Sequence, residues 1–271
     1  MENKIKQLLE KEHYNISDLA EIVTILRSEN GCPWDKVQTH KSIKKDFLEE
    51  VYEVMEAIDC DSSEMMREEL GDVLLQVVFH TVIETEQNNF GLDEVTDDIC
   101  KKLIVRHPHV FGSVDADNVE QVLKNWDSIK KETKGQESYT DTLKSVPKNF
   151  PSLMRAQKLG KRSYRAREDY ESNQDGQLKA WKQISSECSN LHEMIECGSD
   201  EEQKQTFGDL LFACCNMART MGIDAEEALS EANERYIGRF ERAEELARQK
   251  GQEMSALGID ELDVLWREAD K

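Results

Sequence analysis

SIKKDFLEEVYEVMEAIDCDSSEMMREELGDVLLQVVFHTVIETEQ, residues 42–87, is the stretch that decides the fold. Its apolar residues Leu48, Val51, Tyr52, Met55 and Ile58 recur in steps of three and four, the period of one helix face. The spacing predicts a helix near 42–59 that buries these five. A second helix, near 63–87, carries Leu70, Val73, Leu74, Val77, Val78 and Val82 at the same steps. Between them Cys60–Glu64 reads as a short turn, with Asp61 and Glu64 at capping-box spacing. So short a connection predicts two antiparallel neighbours.

The pattern extends outward in both directions. Upstream, Asp18 with Glu21 reads as a capping box opening a helix whose stripe is Leu19, Ile22, Val23, Ile25 and Leu26. Gly31 is expected in the left-handed conformation that ends it, and the loop Gly31-Cys32-Pro33-Trp34-Asp35 follows. Downstream, a helix near 93–106 is expected to stop at Pro108, and another runs near 117–133. Only four prolines and thirteen glycines interrupt 271 residues rich in Glu, Lys, Leu and Ala. The fold class is therefore all-α.

Residues 135–151 hold two of those prolines and read as a linker. The chain beyond it echoes the part before it. Glu69-Leu70-Gly71-Asp72-Val73-Leu74-Leu75 corresponds to Thr206-Phe207-Gly208-Asp209-Leu210-Leu211-Phe212, and Lys102, Arg106 and Trp126 correspond in spacing to Arg235, Arg239 and Trp266. The expectation is a tandem repeat of one four-to-five-helix unit, over 1–134 and 152–271.

A net charge of −21 argues against nucleic acid as a partner, because such affinity comes from cations neutralising phosphates. A nucleotide carried as its magnesium complex is not excluded, since the ion inverts the local electrostatics. Seven cysteines, with no C-x-x-C pair, read as small buried hydrophobes in a reducing cytosol. Met1-Glu2-Asn3-Lys4 leads into no apolar run of signal-peptide type, and no segment is apolar enough to span a bilayer. A soluble cytoplasmic protein with no membrane association is expected.

Chemistry concentrates in the opening stretch. Residues three apart share a helix face, so Glu50 projects with Glu53 and Glu69 with Asp72, while Glu49 lies beside them. Packed antiparallel, the two pairs can meet in one seam. Converging carboxylates repel one another and resist burial unless cations fill the gap. An all-oxygen set without Cys or His suits Mg²⁺ or Mn²⁺. In so acidic a chain the same glutamates also read as a solvated face. A di-iron bundle would want Glu-x-x-His on facing helices, and the one such spacing near the N terminus, Glu10 to His13, lies elsewhere.

Lys102 and Arg106, one turn apart before Pro108, read either as a phosphate clamp or as a solvated basic face. Trp126 and Lys130, again one turn apart, offer a stacking surface and a cation, or core packing with an exposed lysine. His107 and His109 have no Cys or carboxylate partner nearby that would make a zinc site.

Ordered blocks along almost the whole chain resemble the MazG family of nucleoside triphosphate pyrophosphohydrolases. They are Gly31-Cys32-Pro33-Trp34-Asp35 with Gln38-Thr39, Leu48-Glu49-Glu50-Val51-Tyr52-Glu53, Glu69-Leu70-Gly71-Asp72, Arg106-His107-Pro108-His109-Val110-Phe111, Asn125-Trp126, and Pro151 to Lys158. The resemblance implies a helical tandem-repeat homodimer that hydrolyses nucleoside triphosphates to the monophosphate and pyrophosphate with Mg²⁺. It implies Glu50, Glu53, Glu69 and Asp72 as metal ligands, Glu49 as a water-activating or additional metal-shell carboxylate, and Glu49 or Glu53 as the base. Lys102, Arg106, Trp126 and Lys130 would contact triphosphate and base.

The second repeat departs from the pattern. Ser185, Ser186 and Ser189 stand where E-E-x-x-E belongs, Thr206 replaces the Glu of E-x-x-D, and Asp270 stands where the lysine of W-x-x-x-K is expected. One carboxylate, Asp209, cannot fix a dinuclear Mg²⁺ site. The first repeat is therefore expected to be catalytic and the second structural. A non-catalytic nucleotide-binding or dimerisation module, and an enzyme specialised for one deoxynucleotide such as dUTP or dCTP, are the competing readings.

Overall fold

The computed structural model describes residues 2–112, Val122, 138–165 and 174–270. The chain divides into two compact units, Met1–Lys130 and Lys131–Lys271. The described residues are helical throughout, without a strand. None of their helices is long and apolar enough to cross a membrane.

The first unit is built from α1 (Glu2–Leu9), α2 (Ile16–Arg27), α3 (Lys44–Asp59), α4 (Ser63–Glu86), α5 (Leu92–Arg106) and the short α6 (Pro108–Phe111). Helix α4 is its axis, with α2, α3 and α5 all packing on it. In the second half of α4, Val78, Phe79, Thr81, Val82 and Ile83 are buried, covering more than one face of the helix. Val78, Phe79, Val82 and Ile83 form the core with Val23 of α2 and Ile43 just before α3. Arg27, at the end of α2, ties the following loop to this axis. Its guanidinium makes two 2.8 Å bonds to Glu86 and donates to the carbonyl oxygens of Asp35 and Gln38.

The second unit contains α7 (Tyr139–Lys144), α8 (Ser152–Arg165), α9 (Gln174–Cys197), α10 (Asp200–Met221), α11 (Ala225–Gln249) and α12 (Ile259–Glu268). Here α10 is the central helix, packed by α9 and α8. Its buried set is built largely of small residues, Ala180, Ala213, Cys215, Ala243 and Ala247 among them.

Several sequence expectations change in the structure. The cap of α2 is Asn15, whose side chain accepts from the Ser17 and Asp18 amides, and Asp18 is the reciprocal member of the box. Asn competes as well as Asp for an N-cap, and the apolar stripe alone did not fix the first turn. Gly31 is not left-handed. It is needed for close approach instead, since a Cβ there would lie 2.2 Å from the Leu26 carbonyl oxygen. At the hairpin, Ser62 caps α4 through the Met65 amide, and Asp61 takes φ 49° in the turn. Pro108 ends α5 but also opens α6 as its first residue, where its missing N–H costs nothing. Within the stretch read as a linker, Tyr139–Lys144 form a helix. The expected helix near 117–133 lies outside the described residues apart from Val122.

The larger correction concerns burial. Leu48, Val51, Tyr52, Met55 and Ile58 on α3, and Leu70 and Leu74 on α4, are exposed. Their period was read correctly, but a stripe only says that a face is apolar, not what covers it. The cysteines depart likewise. All seven are unpaired, five are exposed, Cys32 is half-buried and only Cys215 is buried.

Candidate active site

The tight turn at Cys60–Ser62 lays α4 back along α3, and two pairs of acids spaced three apart meet in the seam. Glu50, Glu69 and Asp72 each offer a carboxylate oxygen within 4.8 Å of the others, and all three are half-buried. Glu53 stands beside this triad, within hydrogen-bonding reach of both Glu50 and Glu69. The crowding shows in the acidities. Burial, the Glu53 hydrogen bond and the charge of Asp72 hold Glu50 above its ordinary value. Burial and the Glu53 charge do the same for Glu69. Among the described residues this is the one cluster whose ligand atoms converge closely enough to hold an ion.

Glu49 is exposed. With Lys45, Leu48, Tyr52, Glu53 and Glu56 it lines an open cavity of about 490 Å³ on α3. Glu53 thus belongs to both the acidic seam and this depression. Lys102 is exposed on α5, and Arg106, one turn on, is half-buried at the helix end. Trp126 and Lys130 lie outside the described residues. His107, the C-cap of α5, donates from Nδ1 to the Leu103 carbonyl oxygen 2.6 Å away.

A feature that sequence reasoning missed continues along α4. His80 lies eight residues beyond Asp72, about 12 Å along the helix at 1.5 Å per residue. Its Nδ1 is 2.7 Å from Nδ1 of His40, and His40 Nε2 is 2.7 Å from Glu84 Oε1. The two rings are coplanar to 5° with centroids 5.0 Å apart, the separation of a head-on contact rather than of stacked faces. Asn89 donates to the other Glu84 oxygen. Burial and the facing His40 lower the pKa of His80, while the Asn89 and His40 hydrogen bonds hold Glu84 low. The i, i+4 spacing of His80 and Glu84 was visible in the sequence, but their link to His40 was not.

In the second unit, the residues that the sequence reading sets against these acids are bonded within their own helices or exposed. The hydroxyls of Ser185, Ser189 and Thr206 donate to the backbone oxygens of Trp181, Ser185 and Glu202 in their own helices. Asp209 is exposed.

Residues 38–111 match the MazG nucleotide pyrophosphohydrolase domain. A nucleoside triphosphate pyrophosphohydrolase of Escherichia coli (strain K12) is 36% identical over 258 residues, covering 94% of this chain and 97% of the relative. A nucleoside triphosphate pyrophosphohydrolase/pyrophosphatase MazG of Thermotoga maritima is 37% identical over 252 residues, 93% of this chain and 94% of the relative. The uncharacterized Bacillus subtilis protein YabN is 41% identical over 257 residues, 95% of this chain. The chain spans only about half, 52%, of that relative's length.

Proposed function

The chain belongs to the MazG family of nucleotide pyrophosphohydrolases, and from that premise we propose that its α3–α4 seam hydrolyses nucleoside triphosphates to the monophosphate and pyrophosphate with Mg²⁺, for which Mn²⁺ can substitute. The observation that carries this reading is the convergence of Glu50, Glu69 and Asp72 within 4.8 Å. Carboxylates so close oppose one another's ionisation, which adds to burial in holding Glu50 and Glu69 above their ordinary values. An all-oxygen set of this kind fits a hard divalent ion.

Glu50, Glu53, Glu69 and Asp72 are the ligands in this reading. A bound Mg²⁺ supplies neutralising charge for the phosphates and acidifies a coordinated water. Glu53, which borders both the seam and the open cavity on α3, is assigned the proton of the attacking water, with Glu49 as the alternative acceptor. Lys102 and Arg106 are assigned to the triphosphate, where Arg106 can meet two oxygens at once. Trp126 and Lys130 are assigned to the base and the remaining phosphate contacts.

The finer organisation belongs to the same proposal. Homodimerisation is supported by the exposed apolar face of Leu48, Val51, Tyr52, Met55 and Ile58, since such a patch on a monomer marks an interaction site. A tandem repeat is supported by the matching openings of α4 and α10. Ser62 and Ser199 cap them alike, Glu69 lies six residues after Ser63, and Thr206 lies six after Asp200. Seven unpaired cysteines support a reducing, cytoplasmic setting.

The test is pyrophosphate release from a panel of ribo- and deoxynucleotides, on wild type, Glu53→Ala and Asp209→Ala. Wild type is expected to turn over at least one nucleotide with Mg²⁺ or Mn²⁺. Glu53→Ala is expected to lose about 100-fold or more, and Asp209→Ala to keep full activity. Tight nucleotide binding with no release from any substrate would leave a binding module in place of an enzyme. Loss of all activity in Asp209→Ala at an unchanged melting temperature would overturn the assignment of the site to the first unit.

A further inference from the structure

In a chain of net charge −21, helix α8 is anomalous. Arg155, Lys158, Lys161, Arg162 and Arg165 are spread over its fourteen residues, which contain no acid. Arg162 is used within the fold, donating to the Thr142 carbonyl oxygen and to Ser145. Lys158 and Lys161 are exposed and face the end of α10, where they line an open cavity of about 320 Å³ with Arg219, Gln157, Gly222 and Asp224.

No carboxylate lies within ion-pair distance of any of these three cations among the described residues. Lys158 has only the Phe150 ring, 5.4 Å away. The Arg219 guanidinium lies over the Tyr164 ring at 4.0 Å and donates through Nε to Asn216 Oδ1. Among the described residues its Nη2 is buried with no partner, as is Nε of Arg155. A charged donor left unmatched in the interior is expensive and calls for an explanation.

The one acid in the cavity wall is Asp224, and its carboxylate is engaged. It accepts from the Glu226 and Glu227 amides as the cap of the 25-residue helix α11. Gln157 closes the same end, donating to the Ile223 carbonyl oxygen and accepting from the Ala225 amide. The positive end of α11 is thus already matched by Asp224 and by Glu226 and Glu227 in its first turn, so an anion here would rest on the three cations.

We propose that the cavity between α8 and the α10–α11 turn is an anion site, built for a phosphoryl group and separate from the acidic seam of the first unit. Three cations, one of them a guanidinium with an unmatched donor, match the oxygens of a diphosphate, and the open mouth leaves room for a nucleoside attached to it. The second unit, whose own acid positions have become hydroxyls, would then retain a ligand-binding task.

The experiment is calorimetric titration of the full-length protein in EDTA, which silences divalent-dependent binding in the first unit. Inorganic pyrophosphate and ADP serve as the two probes. At least one is expected to bind saturably, and the tighter of the two identifies whether free diphosphate or a nucleotide is the source. Lys158→Ser/Lys161→Ser, at exposed positions, is expected to weaken that binding at least tenfold with no loss of melting temperature. Glu53→Ala is expected to bind as wild type does. Absence of binding by both probes at millimolar concentration, or undiminished binding by the double-serine variant, overturns the proposal. Because the readout is metal-free, it stands or falls independently of turnover in the first unit.

Discussion

Replacing Glu50 with Gln should make the metal-free protein more stable while removing its response to magnesium. Two carboxylate charges at 4.8 Å, the outer limit of the triad's separations, repel by about 1 kcal/mol at the dielectric of water and about 3.5 kcal/mol at an effective dielectric of 20. Glu50 is half-buried, with solvent on one side, so screening keeps the relief near the lower figure, about 1 kcal/mol. For a chain of this size that is about 2–4 °C in melting temperature. The sign also follows from acidity. Burial and the facing Glu53 and Asp72 raise Glu50 above its ordinary 4.5, so its favourable contribution is complete below 4.5 and is lost as pH rises through the elevated folded value. In EDTA, then, the wild-type melting temperature should fall across that window more than that of Glu50→Gln. With added Mg²⁺ the ranking should invert, because the wild type gains binding energy that the variant cannot. Differential scanning calorimetry with and without the ion measures both arms. A variant less stable than wild type in EDTA at neutral pH, or one that gains as much from Mg²⁺, would refute the reasoning.

Two other substitutions probe the scaffold. Gly31→Ala should destabilise the first unit by about 3 kcal/mol, the upper end for a forced overlap, because the new Cβ meets the Leu26 and Ile25 carbonyl oxygens at 2.2 and 2.3 Å; chemical denaturation measures it, and a loss below about 1 kcal/mol would contradict the close-approach role. His80 has a lowered pKa from burial and from His40, so its contribution is complete above the ordinary 6.5 and is lost as pH falls through the folded value. His80→Gln should therefore flatten the stability loss just below pH 6.5, read as denaturation midpoint against pH, and an unchanged slope would show that the histidine pair does not matter there.

Most of the helices were legible because an apolar period survives whatever the tertiary context. Val78 and Val82 were expected in the core and are there. The acid pairs were legible for the same reason, since spacing of three fixes a common face and the turn at Cys60–Ser62 is too short for any topology but a return. What sequence could not supply was the identity of neighbours. The stripe from Leu48 to Ile58 is apolar yet exposed, because periodicity cannot distinguish a face covered by its own chain from one left for another. His40 meets His80 and Glu84 across some forty residues, and no local spacing encodes such a contact. Gly31 looked like a stop by composition alone, whereas its actual constraint is two backbone oxygens that only the folded turn brings near.

The hairpin of α3 and α4 makes the acidic seam a matter of angular phase. One residue added within α4 between Ser63 and Glu69 would swing Glu69 and Asp72 about 100° around the helix axis, away from Glu50, while leaving every one of those residues in the chain. Seven residues added there would bring the pair nearly back into line, two turns further along. Among homologues, length changes between Glu53 and Glu69 should therefore come in whole turns on both helices together or be absorbed at the Cys60–Ser62 bend, and a chain that breaks this rule should have lost its ion-holding seam even with each acid present.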